Sequence, residues 1–128
     1  MPKKKEEKPY DQRIIDALEK LPKTIEDKRH NLLINVQNDQ ARSNETRFEH
    51  IAKRIHELKP RDIAAIPEGI RNYVSFNKSK ELKETFYYFI KRKGNDRGFI
   101  QVAVKLLEGE TKKAYIKTIF ITYKVKNF

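Results

Sequence analysis

From Tyr73 onward the apolar residues of this 128-residue chain recur at alternate positions, whereas upstream they recur every third or fourth. That change of period is the strongest constraint on the fold. Successive side chains of a strand point to opposite faces, while those of a helix return to one face each turn. Residues 85–93, 99–107 and 115–126 read as three strands, joined by Gly94-Asn95-Asp96-Arg97-Gly98 and by Glu108-Gly109-Glu110;. Residues 73–76 supply a shorter strand ahead of them. Strands joined by turns this short are antiparallel neighbours. In the second of the three, Ile100, Val102, Val104 and Leu106 share a face. In the last, Ile119, Ile121, Tyr123 and Val125 take one side; Ile116, Thr118, Phe120, Thr122 and Lys124 take the other. Apolar residues on both sides place that strand centrally, covered on each face.

The first half reads as helical. Over 10–21, Ile14, Ile15, Leu18 and Leu21 fall on one face, with Asp11 as N-cap and Pro22 limiting the far end;. Residues 23–42 are ambiguous. Leu32, Leu33, Ile34 and Val36 suit a strand over 32–37, but Ile25, Leu32 and Val36 also suit a helix face; a helix is expected over 23–30. A longer helix is expected over 44–58, started by Ser43, Glu45 and Thr46 and carrying Phe48, Ile51, Ala52, Ile55 and Leu58 inward, with Pro60 as its end;. A short helical turn follows over 61–66, with Asp62 near its start and Pro67 after it. These elements predict an α+β domain whose N-terminal helices pack on one face of a C-terminal antiparallel sheet of three to four strands. Residues 1–9 read as a disordered basic tail, 10–42 as an N-terminal helical region and 43–128 as a helix-plus-sheet domain.

Charge points to a partner. The net charge is +11, and from Phe86 to Phe128 ten Lys and Arg face only three Asp and Glu, whereas residues 1–42 carry ten against eight. A sheet that alternates apolar and cationic positions can bury one face and offer phosphates the other, so nucleic acid is the first partner to consider. A solvated basic face is the plainer alternative. The run Phe86-Tyr87-Tyr88-Phe89 must bury one alternate pair; the other pair is available for stacking on unpaired bases or for further packing;.

Several classes are excluded or disfavoured. The chain has no cysteine, hence no disulfide and no thiolate metal site;. Its three histidines show no HxH or HxxxH spacing, and neither an acidic two-metal cluster nor a Gly-rich phosphate loop nor a Gly-x-Ser-x-Gly elbow occurs;. No metal and no cofactor are expected. No apolar run approaches the roughly 18 residues of a membrane span, and MPKKKEEKP lacks an apolar leader, so a cytoplasmic protein is expected;.

The polar face of the 44–58 segment gathers Arg47, His50, Lys53, Arg54 and Glu57, with His50 and Arg54 one turn apart;. An imidazole can move protons near pH 7, and a guanidinium can hold phosphate oxygens as charge develops on them. Spacing alone fits a solvated histidine equally. His56 falls at the edge of the apolar stripe, and His30 has no obvious partner.

Taken in order, the HIAKR of residues 50–54, the IPEGI of 66–70 and three strands ending in I-x-T-x-F at 116–120 resemble the barnase/EndoU/colicin/RelE-like ribonuclease fold, in particular its phage- and mobile-element-encoded members. His50, Ile51 and Arg54 match the helix motif, Ile66, Pro67 and Ile70 the short helix, and Thr118 and Phe120 the late strand. The resemblance covers residues 43–126. It implies a metal-independent endoribonuclease, a toxin or mobile-element effector, that cleaves RNA by 2′-hydroxyl attack and answers to a protein inhibitor. By resemblance His50 is the general base or acid, Arg54 and Lys53 clamp the phosphate, and Thr118 (or Thr122 in another register) donates to it. Candidate nucleic-acid contacts are Arg47, Lys53, Lys91, Arg92, Lys117 and Lys124. The family places a second histidine directly after the arginine; here Ile55 intervenes and His56 comes one position late, a turn of about 100° on a helix. A non-catalytic nucleic-acid-binding protein and a protein-interaction module using residues 10–42 stay open as alternatives.

Overall fold

The computed structural model describes residues 9–53 and 57–124. It opens with helix α1, Gln12–Glu19, in which the Asp11 side chain accepts from the Arg13 backbone N–H at 3.0 Å and Ile14 and Leu18 are buried one turn apart. The cap and the apolar stripe are those the sequence predicts.

The next segment is not a helix. Strands β1, Thr24–Asp27, and β2, Leu32–Asn35, pair antiparallel from Thr24↔Asn35 to Asp27↔Leu32. Ile25 and Asp27 are buried while Thr24 and Glu26 are exposed, a period of two that four residues are too few to distinguish from a helical one in the sequence;. Asn31 closes the turn with φ 53°, a left-handed conformation that asparagine tolerates;. The expected strand over 32–37 is present over its first four residues.

The helix expected over 44–58 is also corrected. Strands β3, Gln40–Arg42, and β4, Glu45–Thr46, form a small separate ribbon, and helix α2 covers only Arg47–Ile51. Its N-cap is Thr46, whose side chain accepts from the Glu49 N–H at 3.3 Å while Glu49 Oε1 accepts from the Thr46 N–H at 2.9 Å;. The chain leaves the helix at Ala52, whose carbonyl takes the Asp11 N–H at 2.7 Å, and Lys53 bridges to Tyr10. Tertiary pairing on both flanks therefore outcompetes the helical period. Pro60 starts a helix rather than ending one: α3, Pro60–Ala64, is followed by α4, Ile66–Arg71, with Pro67 in its first turn;.

The C-terminal meander is antiparallel as expected, through β5, Ser75–Lys78; β6, Thr85–Lys91; β7, Phe99–Leu106; and β8, Lys113–Thr122. The sheet is larger than three to four strands. Its order is β1-β2-β8-β7-β6-β5, because β2 docks parallel to β8 with Ile34 opposite Ala114. The protein is α+β, with a mixed six-stranded sheet to which residues 24–35 contribute two strands.

A bulge in β8 revises the expected faces. Ala103 pairs with Thr118 but Val104 pairs with Ile116, so Lys117 is the extra residue;. Ala114 and Ile116 thereby join Ile119 and Ile121 on the core side, against Val104, Val102 and Ile100. Thr118, Phe120 and Thr122 keep the opposite side. The sheet curls so that side chains from its two ends meet: Asp27 on β1 accepts from the Tyr88 hydroxyl on β6, and the ring of His30, in the β1–β2 turn, stacks on Phe76 of β5 at 3.7 Å. Helix α4 touches both β1 and β6, α2 rests on β8, and α1 lies against α2 and α3.

Candidate functional site

The most developed polar cluster centres on His50. Helix α2 holds its ring against the buried carboxylate of Glu45, with Nδ1 2.9 Å from Oε1. Lys53 Nζ lies 3.3 Å and Arg42 Nε 3.7 Å from the same oxygen, and the Tyr10 hydroxyl donates to Oε2 at 3.3 Å. The ribbon-to-helix corner creates this arrangement: β4 carries Glu45, its next residue caps α2, and the bridge to Tyr10 brings Lys53 back over both.

Burial by itself pushes the Glu45 carboxyl up, but hydrogen bonds from His50 and Lys53 and their charges outweigh it and hold the group below its ordinary 4.5;. The Tyr10 phenol is raised, first by burial and then by the Glu45 charge. An ionised Glu45 can only accept, so Nδ1 of His50 donates to it, and whenever the ring is neutral Nε2 carries the lone pair. Nε2 has no partner among the described residues, and the side chain is 22% exposed. A fixed imidazole with a free basic nitrogen beside a lysine and an arginine is equipped for acid–base chemistry on an anionic substrate. Among the described residues no group of acids and histidines is arranged to hold a metal ion.

The other sequence candidates divide. Arg54 and His56 lie outside the described residues, as do Val125 and Lys126. Arg47 donates from Nε to Asp39 at 3.1 Å and from Nη1 to the Lys117 carbonyl at 3.2 Å, and its guanidinium lies over the Tyr115 ring at 5.1 Å. It is thus a tie between α2 and the β8 bulge. That tie sets α2 beside the segment of Thr118, which is half-buried on the non-core face; no hydrogen bond joins Thr118 to His50 among the described residues. Thr122 donates to the Lys124 carbonyl at 3.2 Å.

Lys53 is committed to Glu45. Arg92 differs most from expectation: its side chain is 4% exposed and doubly bonded to Asp62, at 3.0 and 2.9 Å, with a third bond to the Arg97 carbonyl. A phosphate has no access to it. Lys117 sits half-buried in the bulge. Lys91 and Lys124 are exposed and without an ion-pair partner among the described residues; both lie at the sheet end marked by Phe99, which pairs with Lys91 and with Thr122.

Sequence reasoning missed Glu45 as the partner of His50, and Tyr10 as a further partner of Glu45. Glu45 lies five residues ahead of His50, which no helical spacing flags, and Tyr10 lies 35 residues from Glu45. It also left His30 unpartnered, although Asp27 stands three residues before it and lies 2.8 Å from its Nδ1. Comparison with protein-family models, with curated proteins and with solved structures finds no match.

Proposed function

We propose that the protein is a metal-independent endoribonuclease with His50 as its acid–base group. The observation that carries this reading is the bond from Nδ1 of His50 to the buried, ionised Glu45, which presents Nε2 as a base. In the proposed reaction Nε2 takes the proton of a ribose 2′-hydroxyl and that oxygen bonds to the adjacent phosphorus. The bond to the 5′-oxygen breaks, the 5′-oxygen takes a proton from water, the imidazolium returns its proton to the hydroxide so formed, and a 2′,3′-cyclic phosphate remains. Glu45 stabilises the imidazolium that forms. The ribonuclease-like order of the HIAKR, IPEGI and I-x-T-x-F segments supports the same reading, with Arg54 and Thr118 as phosphate-holding groups. That resemblance extends the proposal to a toxin or mobile-element effector acting in the cytoplasm under a protein inhibitor.

Purified protein incubated with labelled RNA and excess chelator tests it. Cleavage leaving cyclic phosphate ends is expected, with His50→Ala slowing it by about a hundredfold or more. No cleavage, or cleavage indifferent to His50→Ala, sinks the proposal. A non-catalytic RNA-binding reading draws on one separate observation, the exposed Lys91 and Lys124 at one end of the sheet, which have no ion-pair partner among the described residues. RNA binding that weakens steeply with salt, without any cutting, would select it.

A further inference from the structure

We propose that the groove between α1 and α3 is a docking surface for the apolar face of an acidic amphipathic helix, a partner that the ribonuclease reading neither requires nor supplies. The two helices pack against each other, and a groove of about 610 Å³ runs between them. Its apolar lining is Ala17, Leu21 and Pro22 on one side and Pro60, Ala64 and Pro67 on the other. Pro22 and Ala64 are exposed and the remaining four half-buried, so this lining meets water. All but Leu21 are alanine or proline, whose side chains lose almost no rotamer freedom when covered. The prolines also present no backbone N–H that docking would strip of water. Covering this groove therefore carries little of the ordering and desolvation cost that opposes association. None of Arg42, Glu45, His50 and Lys53 lines it.

Charge selects the occupant. Arg13, Lys20 and Arg61 line the same groove against a single carboxylate, Asp16, which already accepts from Gln12 Nε2 at 2.9 Å. Lys20 is exposed and has no ion-pair partner among the described residues. Arg13 pairs with Asp11, but its side chain is 78% exposed, and an ion pair so placed is worth little and yields readily to a ligand;. Arg61, 56% exposed, shares Asp96 with Lys59 and Arg92, so Asp96 keeps cationic neighbours when Arg61 turns outward. Arg13 and Lys20 stand seven residues apart, about 10.5 Å along the α1 axis, with Ala17 between them on the same side. Carboxylates at i and i+7 of a partner helix have that same separation, and apolar side chains at i+3 and i+4 then fall over Ala17. The net charge of +11 steers an acidic partner toward the molecule in the first place;.

The test is fluorescence anisotropy of a labelled amphipathic peptide titrated with the full-length protein at physiological salt. The probe carries leucines on one helical face and glutamates with glutamines on the other; a second probe replaces every glutamate by lysine. Saturable binding of the acidic probe and none of the basic one is expected. Lys20→Glu should weaken binding about fivefold or more, whereas Lys80→Glu, the same change of net charge at an exposed site outside the groove, should leave it as it was;. Ala64→Trp, which fills the groove from an exposed position, should abolish saturation. Absence of saturable binding, equal binding of the two probes, equal loss in Lys20→Glu and Lys80→Glu, or undiminished binding in Ala64→Trp overturns the proposal. So does a dimer in sedimentation equilibrium that Ala64→Trp dissolves, since a second copy then fills the groove. No RNA enters the assay, so its failure and failure of the ribonuclease reading are separately visible.

Discussion

Glu45 and Asp27 are both buried acids that hold a histidine by Nδ1, and the two pairs differ in what else surrounds the carboxylate. Around Glu45 stand Arg42, Lys53 and His50, which favour its charged form; around Asp27 stand a phenol and backbone amides. Glu45 has its folded value below the ordinary 4.5, so its contribution to stability is fully present above 4.5 and is lost as pH falls through the lowered value;. Asp96 is lowered too, first by a hydrogen bond from Lys59 and then, against partial burial, by Arg61, so its share declines in the same direction. Urea unfolding of wild type and Glu45→Gln from pH 7 to pH 3 should therefore show a stability gap that closes in acid. A gap constant across that range would contradict the ionised assignment of Glu45. At this scale sequence reading singled out His50 but did not pair it with Glu45. It likewise counted Arg92 among surface cations, because nothing local shows that Asp62, thirty residues earlier, meets it in the interior.

Elements were legible where their period is long and their caps are local. Helix α1, β6, β7 and β8 are long enough to declare a period, and Asp11 caps its helix from the adjacent position. The five- and six-residue helices and the two- to four-residue strands are too short for that, and their limits are set by what they meet. Gly69 in α4 shows such a meeting: a Cβ there would lie 2.3 Å from Cγ2 of Ile90 on β6, itself buried. Gly69→Ala gains about 0.5–1 kcal/mol of helix propensity. Overpacking against Ile90 costs about 1–3 kcal/mol, so net destabilisation is expected in chemical denaturation. In combination with Ile90→Ala the penalty of Gly69→Ala should shrink or reverse; strict additivity of the two would show that this contact is not the cause. The β8 bulge is the other element-scale lesson. One extra residue at Lys117 moves Ile116 to the core side, which strict alternation assigns to the other face;.

The whole molecule depends on the curl that brings β1 to β6. The bond from the Tyr88 hydroxyl to Asp27 spans that closure, and burial, with the Asp27 hydrogen bond second, raises the phenol far above its ordinary value so that it stays a donor. Tyr88→Phe leaves buried Asp27 short of one donor and should cost about 1–3 kcal/mol. Because β1 and β2 enter the sheet only beside β8, hydrogen exchange should accelerate first in Thr24–Asp27 and Leu32–Asn35, with β7 still protected; uniform acceleration would argue against a separate closing role;. By itself the sequence determined the α+β class, the first helix, the antiparallel meander and the concentration of charge in it, since each follows from local periodicity, capping and composition. Only the tertiary structure decided that β2 lies parallel to β8, that Arg92 is interior, and that Glu45 and Asp27 each take a histidine. Those outcomes rest on contacts between residues distant in the chain or off any regular spacing, where closure of the fold, not local preference, selects the partner.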